Sequence, residues 1–192
     1  MSLYFFNAGS FLKNTIMKKI FFIILIFLNF INIGKSQWVE CGPNTFISCI
    51  TIMNNTLFVG SSLNGIYKSA NNGDTWENVS SGLLFVSNHY LSIVELAVKD
   101  TDIFAATPAG VYKSSNNGMN WTLVNNGLTD TNITSIAILD SLIFVGTNSS
   151  GIFCSSNNGG NWYSVNNGLT NPYIKSLAVN GTTIYAGTAY WN

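Results

Sequence analysis

Arginine is absent from this 192-residue chain, and charge of either sign is scarce. It has eight lysines, eight carboxylates and one histidine, and charged residues make up 8%, against roughly 25% in an average soluble protein. Without arginine there is no planar, bidentate clamp for a carboxylate or phosphate. Beyond residue 36, four lysines face eight carboxylates, a formal charge of −4. Nucleic acid, which needs a basic footprint, is excluded as a partner. Cysteine is sparse too: Cys41, Cys49 and Cys154 are odd in number and match no metal-ligand spacing. No metal or cofactor is expected. An oxidising compartment would permit a Cys41–Cys49 disulfide. Cys154 stands where related segments carry Lys68 and Lys113, so it reads as a tolerated surface or strand position. His89, the single histidine, lies in the loop SNHY with no evident partner for catalysis or metal binding. Sustained 3.6-residue periodicity is missing after Gln37, which argues against helices.

Long apolar runs are confined to the N-terminal segment. From Met17 it reads MKKIFFIILIFLNFINIGKSQ. Two lysines precede the unbroken apolar run 20–28, and Gly34 and Ser36 are small residues before a cut at Gln37. This is the pattern of a secretory signal peptide. The run is short for a membrane span, which needs about 20 residues; an uncleaved anchor is the other reading. Residues 1–36 are thus expected to be a leader whose true start lies near Met17, with no membrane span left after cleavage.

The polarity comes instead from Asn, Ser, Gly and Thr, which serve turns and weaken helix interiors. They recur in register. GIYKSANNGDTW, GVYKSSNNGMNW and GIFCSSNNGGNW align without a gap, with 45 residues from Trp76 to Trp121 and 41 from Trp121 to Trp162. Upstream of each come two further β-type runs, as in ITSIAIL and IFVGT, and a last pair, IKSLAV and IYAGT, follows near the C-terminus. Asn180-Gly181 marks a two-residue hairpin, and Asp140-Ser141 and Asn54-Asn55 hold the matching place. Four short strands per repeat of roughly 40–45 residues describe the blade of a β-propeller. The expected architecture is all-β: an incomplete propeller of four-stranded antiparallel blades over 37–192, with blades at about 46–88, 89–132 and 133–173 and a partial one at 174–192. The first run of each blade should be innermost and the run opened by Trp outermost.

The repeated box sits in the hairpin between the third and fourth strands. Ser69, Ser114 and Ser155 are expected to tie the strand end to the loop. Asn71, Asn116 and Asn157 should bond backbone N–H groups two residues on. Gly73, Gly118 and Gly159 supply positive φ, and Trp76, Trp121 and Trp162 fold back as apolar anchors. This S-x-N-x-G-x-x-W pattern resembles the Asp-box, or BNR repeat, with Asn in place of the usual Asp. Similar propellers occur in sialidases, xyloglucanase-type glycoside hydrolases, the sortilin luminal domain, photosystem II assembly factors and bacterial secreted proteins with type IX sorting domains. Within that family the box is a fold element, so the resemblance implies structure and does not choose among activities.

Three functions compete. A sialidase would require, by the resemblance, three arginines on the substrate carboxylate, and the chain has none. A glycosidase needs two carboxylates roughly 5–10 Å apart across the scissile bond. Asp74, Glu77, Asp100, Asp102, Asp130 and Asp140 read as solvated turn or edge residues. Glu95 lies inside an innermost strand, where Cys49, Ser135 and Ser176 hold the same place, and is expected to face the central channel. The photosystem-type factors use a basic face that this chain lacks. The favoured reading is a secreted or cell-surface module that binds a protein or glycan without catalysis. A glycan-degrading propeller and a photosystem-type assembly factor are the alternatives. The repeats stop mid-blade, so the chain is expected to be a fragment of a longer protein or to self-associate.

Overall fold

The computed structural model describes residues 41–189. The leader, the Trp38-Val39-Glu40 run, Tyr190 and Trp191 lie outside the described residues. Among the described residues there are sixteen strands and no helix. The first sheet runs in the order β1 (Ile47–Met53), β2 (Thr56–Ser61), β3 (Ile66–Ser69), β4 (Glu77–Asn78). A small hairpin follows, β5 (Phe85–Val86) and β6 (His89–Tyr90). The second sheet holds β7 (Glu95–Lys99), β8 (Asp102–Thr107), β9 (Gly110–Ser114) and β10 (Thr122–Leu123). The third holds β11 (Ile133–Leu139), β12 (Leu142–Thr147), β13 (Ile152–Ser155) and β14 (Tyr163–Ser164). Last comes the antiparallel pair β15 (Ile174–Asn180) and β16 (Thr183–Thr188). Every pairing is antiparallel between neighbours in sequence, as short turns dictate. β1 lies against β7, β7 against β11 and β11 against β15. The first strand of each sheet is therefore the inner one. The architecture is an all-β, incomplete propeller.

Turn chemistry sets these hairpins. Asn54-Asn55, Asp100-Thr101 and Asp140-Ser141 are the two central residues of the inner turns, and Asn54, Asp100 and Asp140 take φ of 48°, 56° and 52°. Asn and Asp tolerate that left-handed region better than other side-chain-bearing residues. In the last pair the turn falls one residue later than expected. Asn180 pairs with Thr183, and Gly181, at φ 58°, begins the turn. The outer strands also begin one residue later, at Glu77, Thr122 and Tyr163, because each Trp leaves the sheet to pack elsewhere. The β5–β6 hairpin was not legible as strand. Nine residues separate Leu83 from Ile93, whereas four separate Leu128 from Ile133 and Leu169 from Ile174. The extra length folds on itself at Ser87-Asn88, with φ of 51° and 67°.

The core lies between sheets rather than within one. Phe58, Ile66, Val79, Ile93, Ile103 and Trp121 form a buried cluster that joins the first blade to the second. Phe104, Val111, Ile133, Ile143, Phe153 and Trp162 do the same for the second and third. Each such side chain contributes about 1.5–3 kcal/mol on burial, so a blade is stable through its neighbours. Toward either end the burial falls away. Phe46 and Ile50 are 82% and 62% exposed, and Tyr185 is 56% exposed.

Two linker glycines make the close approach between blades feasible. Gly82 and Gly127 have φ of 91° and 90°. A Cβ on either would lie 2.2 Å from the carbonyl oxygen of Trp121 or Trp162 in the next blade. Gly168 has the same conformation, φ 82°, with no atom within 4 Å of that point. Gly127→Ala should therefore lose about 3 kcal/mol or more, from backbone strain and overlap together, while Gly168→Ala loses about 1 kcal/mol from strain alone. Urea unfolding of both variants checks this; equal losses would mean that these glycines serve only their backbone angle.

Candidate functional site

The three boxes share one hydrogen-bond pattern. Ser69 Oγ donates to Asn71 Oδ1 at 2.9 Å and accepts from the Gly73 N–H at 2.9 Å. Ser114 repeats this with Asn116 and Gly118 at 2.9 and 3.0 Å, and Ser155 with Asn157 and Gly159 at 3.0 and 2.9 Å. The Asn oxygen reaches four residues on, not two. It accepts from the N–H of Thr75, Asn120 and Asn161 at 3.0, 2.9 and 2.8 Å. Consecutive positive φ at Asn72-Gly73, Asn117-Gly118 and Asn158-Gly159 curls the loop back over the Asn side chain.

The box reaches beyond its own blade. Trp121 and Trp162 are buried, and their indole N–H groups donate to the carbonyls of Val79 and Val124 in the preceding blade, both at 2.7 Å. Their backbone N–H groups donate to Ser81 and Asn126 of the same linkers, at 2.9 and 2.8 Å. Trp76 differs: it is half-buried, and its indole donates to Gly73 in its own loop at 3.0 Å. A Cβ on Gly118 or Gly159 would touch Val79 or Val124. At Gly73 it would touch Cys41, which follows Trp38-Val39-Glu40 as Val79 follows Trp76-Glu77-Asn78. Cys41 thus packs against the first box, and in this structure all three cysteines are free thiols. Of the two positions open to Cys154, surface or strand, it takes the strand, buried in β13.

Glu95 does not stand free in a channel. Its Oε2 accepts the Ile136 N–H of the next inner strand at 2.8 Å. Burial pushes its carboxyl above the usual range, and the Ile136 N–H offsets this only in part. Cys49 and Ser135, at the same register, pair with Gly60 and Gly146. Burial pushes the Cys49 thiol up to about 11, and the Ser135 and Thr134 hydroxyls are buried without a partner. Asp102 is not the solvated turn residue expected, whereas Asp130 does lie in a loop, half-buried. Asp102 is buried, 2.7 Å from Lys113 Nζ, and accepts from Asn158 Nδ2 of the next box at 3.4 Å. Burial raises its carboxyl, but hydrogen bonds from Lys113 and Ser115 and the charge of Lys113 and Lys99 outweigh that and hold it below the usual range. Asp130 binds the N–H and hydroxyl of Ser149, both at 2.8 Å, and the Asn132 N–H at 2.9 Å. Burial raises it too, but these bonds hold it below the usual range. His89 is exposed in β6, its Nδ1–H donating to the Ser87 carbonyl at 3.0 Å. Among the described residues no three His, Cys, Asp or Glu side chains converge as a metal site would require.

Polar latches were missed by the sequence reading. Ser80 Oγ, Asn125 Oδ1 and Asn166 Oδ1 accept from the first N–H of β3, from Val111 and from Ile152, at 2.9, 2.9 and 2.7 Å. Their signal was the linker VNNGLT, identical at 124–129 and 165–170.

Sheets gathered about inner strands and locked by interblade tryptophans define a β-propeller. Residues 48–183 match the DUF6242 beta propeller domain, and the chain belongs to that family. Solved structures agree on the fold. An ancestral GH74 enzyme is 24% identical at TM-score 0.59, over 79% of this chain and 23% of that one. The extracellular domain of BT4673 from B. thetaiotaomicron is 18% identical at TM-score 0.60, over 77% and 21%. YCF48 from Cyanidioschyzon merolae is 14% identical at TM-score 0.54, over 74% and 49%. The chain thus spans under half the length of each of these three. No curated protein matches it.

Two expectations follow. Trp121→Ala should cost about 3–5 kcal/mol, as large-to-small changes in a core do, and Asn116→Ala about 1 kcal/mol for the turn hydrogen bonds; chemical denaturation measures both, and negligible effects would contradict the interblade lock. Because the folded state raises the Glu95 carboxyl, its ionisation opposes folding. That penalty is absent below the unfolded value near 4.5 and complete once pH has risen through the folded value. Glu95→Gln, which keeps an acceptor for Ile136, should match the parent in melting temperature at pH 3 and exceed it at neutral pH.

Proposed function

We propose that this chain is an exported, Asp-box-type propeller module that binds a partner, a protein or a glycan, without catalysing a reaction. The observation that carries this is the commitment of Glu95. The carboxylate best placed for chemistry is turned onto a backbone N–H of the next blade and held toward its protonated form by burial. The box residues are likewise engaged in loop and interblade bonds, which supports a structural role for them. Function then falls to loops and rims displayed by the rigid blades. No helix of the described residues is long and apolar enough to cross a membrane. An exported location is supported by the leader pattern at 1–36, and the likeness to the BT4673 extracellular domain is in keeping with it. In the glycan-degrading alternative Glu95 would be one of two acting carboxylates.

Expression from Met17 in an exporting host separates these readings. The secreted form is expected to begin near Gln37 by N-terminal sequencing and to leave neutral polysaccharides uncleaved. A cytosolic product retaining Met17 would sink the export reading; glycosidase activity abolished by Glu95→Gln would replace binding with catalysis.

A further inference from the structure

Five residues added to the repeat after Leu83 build β5–β6, and they carry an aromatic cluster to the rim of the first blade. Phe85 and Tyr90 meet edge to face, with ring centroids 4.8 Å apart. Phe85 is 56% exposed, an arrangement that burial does not explain. These rings, with Tyr67 of β3 and His89, wall a hollow of about 170 Å³ whose remaining lining includes Asn64 and Asn78. The hollow has no charged lining residue. Tyr90 and Asn78 also border a second hollow, of about 460 Å³, that continues along β4 past Ser80 and Ser81 to Met119. Glu77 links that to a third, of about 250 Å³, beside Asn71, Thr75 and Trp76. The three form a trough along the outer strand of this blade.

The geometry points to this trough as a binding site for a neutral oligosaccharide, with the hydroxyl-bearing faces of its sugar rings against Asn64, Asn78 and Ser81 and their C–H faces against Phe85, Tyr90 and Trp76. The inference rests on the binding-module reading above and names its ligand class and place. Aromatic faces offer apolar area at little entropic cost, while amides and hydroxyls orient a polar, uncharged ligand. An anionic ligand would find no lysine in the first hollow, and the cation beside the third, Lys68, is paired with Glu77 at 3.3 Å. A peptide adding to the edge of β4 would find a strand of two residues, too short for the ladder from which that mode draws its affinity. His89 is set to take part: its Nδ1–H is held by Ser87, which leaves Nε2 as an acceptor for a sugar hydroxyl in the neutral ring.

Titrating the full exported chain with cellohexaose, maltohexaose and mannohexaose, followed by calorimetry and by Trp fluorescence, tests this. Saturable binding to at least one is expected. Phe85→Ala should weaken it about tenfold or more, the effect of losing an aromatic anchor. So should replacing residues 84–92 by the four-residue linker TDTN found at 129–132, a change that a neighbouring blade already tolerates. Tyr163→Ala, an exposed ring at the equivalent outer strand of the third blade, should change nothing. No saturable binding to any of the three sugars overturns the site, as does binding that survives both rim variants. Capture of an extended (Thr-Val)n peptide, unaffected by Phe85→Ala, would replace the glycan with strand addition. Sugar bound at the trough but hydrolysed would instead refute the non-catalytic reading and leave the site standing.

Discussion

The seat of one tryptophan on the linker of the blade before it is the contact on which the rest of this molecule depends. Trp121 and Trp162 each make a backbone and an indole hydrogen bond to that linker, and each carbonyl lies where Gly82 or Gly127 has no side chain. The pairing combines apolar burial with satisfied polar groups, so the indole N–H is not left unpaired inside the core, where it would cost about 1–3 kcal/mol. Blade-to-blade spacing follows from it. The clusters around Phe58 and Phe104 are both capped by such a Trp.

Polar residues serve the same interface. Asp102 and Asn158 join the inner hairpin of one blade to the box of the next, and Glu95 joins two inner strands. Low charge is consistent with this use. Two of the protein's carboxylates, Glu95 and Asp102, are engaged across its own blades, and most of its remaining polar residues are amides and hydroxyls. Such a composition suits ligands recognised by shape and hydrogen bonding more than by charge. The rim hairpin is the clearest instance, because it is added to the repeat and holds Phe85 exposed.

Repetition was the main source of legibility. Four strands to a full blade, the antiparallel order, the inner position of the first strand, and positive φ at the box glycines could all be read from aligned segments, since each is a local matter of turn residues and period-two runs. Glu95 shows the limit. Its register beside Cys49, Ser135 and Ser176 was visible, but the direction of its carboxylate depends on how far away the next inner strand lies. Asp102 was misplaced for the same reason: burial is decided by the neighbouring blade, which sequence spacing does not position.

The sequence by itself determined the blade: its four strands, its turns and the loop held by Ser, Asn and Gly, because these depend on backbone preferences within a few residues. Only the tertiary structure decided where Trp121 and Trp162 lodge, why Gly82 and Gly127 admit no side chain, and that the extra residues after Leu83 fold into a hairpin bearing Phe85, His89 and Tyr90. The seats of the two tryptophans and the closeness at the two glycines depend on contacts between residues some forty positions apart, whose distance is set by the packing of whole sheets.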